Sequence, residues 1–116
     1  MKLTELAERI GAQVLCAGRG GDVDAEQVYA GDRISDLLNA AGEHVLLVTN
    51  LASGQLVQMA ELLDVPAICV VNGRGPEAAV VAAASGNGTL LMVCSASLFE
   101  TCGRIHACLA AEVRSR

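Results

Sequence analysis

Apolar residues recur along this chain in two rhythms, and the switching between them predicts the architecture. Val45, Leu46, Leu47 and Val48 form an unbroken run, as do Ala67, Ile68, Cys69, Val70 and Val71, and again Leu90, Leu91, Met92 and Val93. Short runs of this kind read as strands covered on both faces, which is what a parallel sheet needs. Between the first two, Leu56, Val57, Ala60 and Leu63 return at helical spacing, with Ser53 suited to cap the start and Pro66 barring the helix from the next strand. The stretch is a βαβ unit, and such units cross over with one hand, so both strands end at the same edge of the sheet.

The same punctuation extends in both directions. Residues 4–10 read as a helix with Leu3, Leu6 and Ile10 on one face, Thr4 as a cap and Gly11 as its end, followed by a strand at Val14, Leu15 and Cys16. The segment 18–24, GRGGDVD, reads as a turn; it lacks the Gly-Lys-Ser/Thr of a P-loop, so its glycines serve the backbone. Val28, Tyr29 and Ala30 end another strand. Residues 34–41 follow as a helix with Ile34, Leu37 and Leu38 inward. Further on, Pro76 at a first helical position and Glu77 in the first turn open a helix that buries Val80, Val81 and Ala84 and ends at Gly86-Asn87-Gly88. A long final helix from about Ser97 carries Leu98, Cys102, Ile105, Leu109 and Val113 at spacings of four, three, four and four, with Arg114 and Arg116 at its end. The expectation is one α/β domain over residues 1–116, three-layered, with a mainly parallel sheet flanked by helices. The orientation of the first two strands stays open.

Composition narrows what this scaffold does. At 116 residues the chain buries roughly two-thirds of its unfolded surface. Tyr29 and Phe99 are its only aromatics, so it offers no base-stacking platform, and 8 basic against 13 acidic residues give a net charge of −5 that repels a phosphate backbone. Nucleic acid is not the expected partner. Nor is a membrane, because no apolar stretch approaches spanning length. Five cysteines without a signal peptide or a CxxC pair point to the cytoplasm, with Cys69 and Cys94 as core residues. Neither His44 nor His106 is spaced to complete a zinc site, and no cofactor is expected.

Candidate chemistry gathers where strands give way to helices. The junctions Thr49-Asn50-Leu51-Ala52-Ser53, Asn72-Gly73-Arg74-Gly75 and Cys94-Ser95-Ala96-Ser97 place small or hydrogen-bonding residues beside helix N-termini, a geometry that suits anions and small polar ligands. The plainer role for Ser53 and Ser97 is helix capping, and for Asn72 and Gly73 turning the chain. Residues 73–78 fit G-x-G-x-x-G/A on paper, but Pro76 removes an amide that a pyrophosphate wants and no acidic residue ends the next strand, which argues against a nicotinamide site. Asp32, Arg33, Ser35 and Asp36 form the densest polar cluster. Its two carboxylates, four residues apart, either share a helix face and hold an amine or a divalent ion or do acid–base work, or divide into a cap and a solvated side chain. Cys102 and His106 are also four apart, but the Cys lies on the buried stripe and no third group orients the His, which argues against a nucleophilic dyad.

The run VYAGDRISDLL at 28–38, the VNGRGP junction at 71–76 and SASLFETCGR at 95–104 together resemble the stand-alone branch of the DRTGG domain family over nearly the whole chain, and the opening KLTELAERIGAQVL is similar as well. The resemblance implies a fold like the N-terminal domain of HPr kinase, and kinship with accessory domains of bacterial phosphotransacetylases and of pyrophosphatases with CBS domains. There the domain is a regulatory, dimer-forming or ligand-sensing module beside a separate catalytic domain. Stand-alone members tend to accompany iron-only hydrogenase and NADH-dehydrogenase-like genes. The family's polar positions fall on Asp32, Ser35, Asp36, Asn72, Gly73, Arg74 and Ser95. This chain has Ala52-Ser53 where multidomain relatives carry Asp-Arg, and Asn72-Gly73-Arg74 where they carry Thr-Gly-Gly.

The expected function is a noncatalytic regulatory or ligand-sensing homodimer, with a small polar or anionic, nucleotide-like ligand at the strand ends held by those seven residues and Thr49. Two alternatives stay open: a small enzyme using Asp32 and Asp36 with a divalent metal, and an accessory subunit of a hydrogenase or other redox complex.

Overall fold

The computed structural model describes residues 1–51, 53–73 and 75–114. Arg74, expected at the candidate site, and Ala52 and Arg116 lie outside the described residues. The elements run α1 (Leu3–Arg9), β1 (Gln13–Cys16), a 3-10 turn (Arg19–Asp22), β2 (Gln27–Ala30), α2 (Ile34–Ala40), β3 (Val45–Thr49), α3 (Gly54–Leu62), β4 (Ala67–Val70), α4 (Ala78–Asn87), β5 (Leu90–Val93) and α5 (Leu98–Arg114).

The strands form one sheet in the order β1-β5-β4-β3-β2. From β2 to β5 all neighbours are parallel, in registers such as Ala30 with Val48, Thr49 with Val70, and Val70 with Val93. β1 alone runs antiparallel, pairing Gln13 with Val93 and slipping register between Val14 and Cys16. The open question of the first two strands thus resolves one way for each.

Side chains alternate between the faces and build two cores. Leu46, Val48, Ala67, Cys69, Leu90 and Met92 pack under α1 and α5. Leu47, Ile68, Val70 and Leu91 pack under α2, α3 and α4. The three parallel connections step the same way along the sheet, so a common right hand puts their helices on one face and leaves the other to α1 and α5. The result is the expected three-layer α/β domain. Cys69 and Cys94 are buried core residues, as their apolar setting predicts.

Several local expectations are corrected. Thr4 lies inside α1 and donates its hydroxyl to the Gly21 carbonyl at 2.6 Å, which ties the 3-10 turn to the helix instead of capping it. Glycines in and just before that turn are needed for contact: a Cβ on Gly20 would sit 1.8 Å from the Pro66 oxygen, and one on Gly18, the residue ahead of the turn, 2.4 Å from the Gly88 oxygen. Leu38 is 49% exposed, since a helix of only two turns presents one residue, Leu37, squarely to the sheet. Leu63 falls at the end of α3 and is partly exposed, its place in the core taken by Met59. α4 begins at Ala78, so Pro76 and Glu77 precede the helix and do not form its first turn. Val113 leaves the buried stripe of α5 because four-residue spacings drift around a 3.6-residue helix.

Candidate functional site

Because β2 through β5 are parallel, Ala30, Thr49, Val70 and Val93 all finish on one rim, and the loops after them lie side by side. Three inter-strand steps make this rim about 14 Å wide. It is knitted by main-chain bonds: Gly31 N–H donates to Val48 O at 3.0 Å, Val71 N–H to Thr49 O at 2.9 Å, and Cys94 N–H to Val70 O at 2.8 Å.

The Asn72-Gly73 corner is the most specialised part. Both residues have φ of +67°. Left-handed backbone is costly for most side chains but tolerated by Asn and Gly, which explains the pair of residue types found there. The turn folds back onto the neighbouring loop, with Asn72 N–H donating to Ala96 O and Gly73 N–H to Cys94 O, both at 3.0 Å. A Cβ on Gly73 would lie 3.7 Å from the Ser95 Cα, so these two expected site residues do meet. Their amides, however, are spent on the loop, and an anion there must be held by other donors.

Helix N-termini are the other donors the rim offers. Ser53 Oγ accepts from Leu56 N–H at 3.3 Å and Ser97 Oγ accepts from Glu100 N–H at 3.1 Å, so both serines cap as their plainer role predicts. α3, α4 and α5 begin at this rim, and the leading amides of a helix have no acceptor within it. The sequence reading placed these two caps and set the junctions beside helix N-termini; what it missed is that the Asn72 and Gly73 amides are taken up by the neighbouring loop. The positive-φ residue types Asn72 and Gly73 were the available signal for that turn.

The remaining expected residues are distributed as follows. Thr49 is fully buried and its hydroxyl accepts from Leu51 N–H at 3.2 Å, so it shapes the loop and does not face a ligand. Ser95, Asn72 and Gly73 are exposed on the rim. Asp32 and Ser35 are exposed at the β2 end of it. The two carboxylates do not share a helix face: α2 starts after Arg33, leaving Asp32 in the bend before it, while Asp36 sits in the first turn 4.0 Å from Arg33. Nor does Asp32 cap the helix, since Arg33 holds that position without a side-chain bond. Among the described residues no three His, Cys, Asp or Glu side chains converge as a metal site. Burial pushes the Cys102 thiol up, and burial with the neighbouring Cys94 and Cys102 pushes Cys69 up to about 12, so neither is an activated nucleophile. No helix among the described residues is long and apolar enough to cross a membrane.

No family model matches the sequence, and no curated protein does. Among solved structures, the chain is similar to the CBS and DRTGG domains of the regulatory region of Clostridium perfringens pyrophosphatase, complexed with its activator diadenosine tetraphosphate, with a TM-score of 0.75 and 14% identity. The match covers 90% of this chain and 45% of that one. The fold of this chain is thus DRTGG-like, as the motif resemblance implies.

Proposed function

We propose that this chain is a noncatalytic regulatory module, working in the cytoplasm as a homodimer, that senses a small phosphate-bearing ligand of the nucleotide class at the C-terminal rim of its sheet. The observation that carries the reading is the convergence of four parallel strand ends and the N-termini of α3, α4 and α5 on one rim. Such an edge favours anions through unpaired amides and helix dipoles, and it needs no catalytic group to do so. Ser95 and Asn72 stand exposed in its middle, with Ser35 and Asp32 toward β2. The fold neighbour adds support of another kind, since that regulatory region is described in complex with a nucleotide activator.

Calorimetric titration with ATP, ADP and diadenosine tetraphosphate, with adenosine as the uncharged control, tests the reading. Phosphate-bearing ligands are expected to bind in the micromolar range while adenosine does not, and Ser95→Glu is expected to weaken binding by about tenfold or more through like-charge repulsion. Absence of binding by all three phosphate compounds sinks the ligand-sensing reading. Turnover of a nucleotide that disappears in Asp32→Asn would replace it with the metal-dependent enzyme.

A further inference from the structure

We propose that α5 is the dimer interface, lying side by side and antiparallel with α5 of a second copy. The inference rests on the homodimeric part of the reading above and assigns it a surface.

α5 carries two stripes. One packs on the sheet, with Thr101 and Ile105 buried and Leu98, Cys102 and Leu109 partly so. The other is Phe99, Gly103, His106, Ala110 and Val113, spaced four, three, four and three, the repeat of a helix that pairs lengthwise with another. Among the described residues little covers it: Phe99, the only phenylalanine, is 88% exposed, Val113 is 67% exposed, and Gly103 and His106 are exposed as well. Gly103 is informative in the same way. A Cβ there would meet nothing within 4 Å, so no intramolecular packing requires a glycine in mid-helix, where it weakens the helix. A second helix approaching from outside does benefit, since small residues at a crossing bring the axes together.

The surroundings leave room for that helix. Only α1 and α5 cover this face of the sheet, and beside α5 an apolar groove of about 330 Å³ opens toward the β2 edge, where Val28, Leu109 and Val113 line it.

Charge selects the occupant and its direction. Glu100 in the first turn and Arg114 in the last flank the exposed stripe on one side, at opposite ends. A twofold axis near His106 sets each Glu100 beside Arg114 of the partner subunit and opposes the two helix dipoles. A parallel pair would put the two charged flanks on opposite sides of the seam, with no Glu100–Arg114 pairing across it, and would align the helix dipoles. The other exposed apolar patch, a groove between α2 and α3 at Leu38, Leu62 and Leu63, is lined besides by Gln55 and Gln58 and has no such charge pair to orient a copy.

Sedimentation of the full chain from micromolar to millimolar concentration tests this. A dimer is expected whose dissociation constant rises by about tenfold or more in Phe99→Glu and in Gly103→Glu, with helicity by circular dichroism retained because both sites face open space. Glu100→Arg and Arg114→Glu are each expected to weaken the dimer, and the double exchange to restore it. A dimer indifferent to Phe99→Glu and Gly103→Glu overturns the interface while leaving the homodimer standing, with Leu62→Glu then reporting on the α2–α3 groove. Single charge variants that the double exchange fails to rescue overturn the antiparallel arrangement. A monomer at every concentration overturns the interface and the homodimer together, and leaves the nucleotide titration to judge ligand sensing by itself.

Discussion

The amide of Asn72 donates to the carbonyl of Ala96 at 3.0 Å, joining the loop after β4 to the loop after β5 while Asn72 itself holds a left-handed φ of +67°. The corner combines an exposed side chain with a demanding backbone, and substitution can separate the two. Asn72→Gly is expected to leave stability within about 0.5 kcal/mol of the parent, because Gly occupies that conformation freely. Gly73→Val is expected to cost about 2 kcal/mol, since a β-branched residue must enter the same left-handed region. Urea unfolding of the two variants measures the difference, and loss of nucleotide affinity in the stable Asn72→Gly would assign the side chain to the ligand.

Gly20 touches the Pro66 carbonyl so closely that a Cβ would come within 1.8 Å of the oxygen, which also accepts from Leu90 N–H at 2.9 Å. Gly20→Ala is therefore expected to destabilise by about 3 kcal/mol, the upper range for overpacking, because backbone on both sides has to move. A thermal melt unchanged in this variant would mean that the 3-10 turn does not seat against the β4–β5 end of the sheet.

Thr101 is fully buried in α5, and its hydroxyl has no hydrogen-bond partner among the described residues. A buried, unpaired hydroxyl costs folding free energy that an isosteric apolar group does not. Thr101→Val is expected to stabilise the fold by about 1 kcal/mol in denaturant titration, without altering the dimer, since Thr101 faces the sheet.

The two cap serines are expected to report on local helix stability. Ser53→Ala and Ser97→Ala each remove one acceptor from a helix N-terminus and are expected to cost about 1 kcal/mol. Hydrogen exchange should show the loss concentrated in the first turns of α3 and α5.

Cys69 sets an alkaline limit. Burial, with Cys94 and Cys102 nearby, holds its thiol at about 12, above the ordinary thiol value of 9.0. Between these two values the unfolded chain has lost the proton while the folded one keeps it, so stability is intact below about pH 9 and declines as pH rises toward 12. Cys69→Ala is expected to be less stable at neutral pH, through the cavity it leaves, and to show a shallower decline above pH 9. Parallel stability-versus-pH curves for parent and variant would cross or converge if this is right.

Read from the amino acids alone, the succession of helices and strands was legible almost throughout. Apolar runs at β3, β4 and β5, the Ser53 cap, and Gly88 with its φ of +78° at the end of α4 act on neighbours a few residues away, and such signals survive in one dimension. From the single-handed crossover it also followed that residues 49, 72 and 95 would share a rim, as the parallel pairing of β3, β4 and β5 bears out. Other features depended on contacts between distant parts. That β1 turns antiparallel to lie against β5 is a matter of which edge was free to meet Gln13, eighty residues before its partner Val93. That Thr49 faces inward, that Asp32 stands outside α2, and that Phe99 and Val113 remain in water were all decided by where the layers closed and which faces were left uncovered. The physical reason is one of range: turns, caps and periodicity bias the backbone within a few residues, whereas exposure and strand order are set by the packing of whole elements against one another.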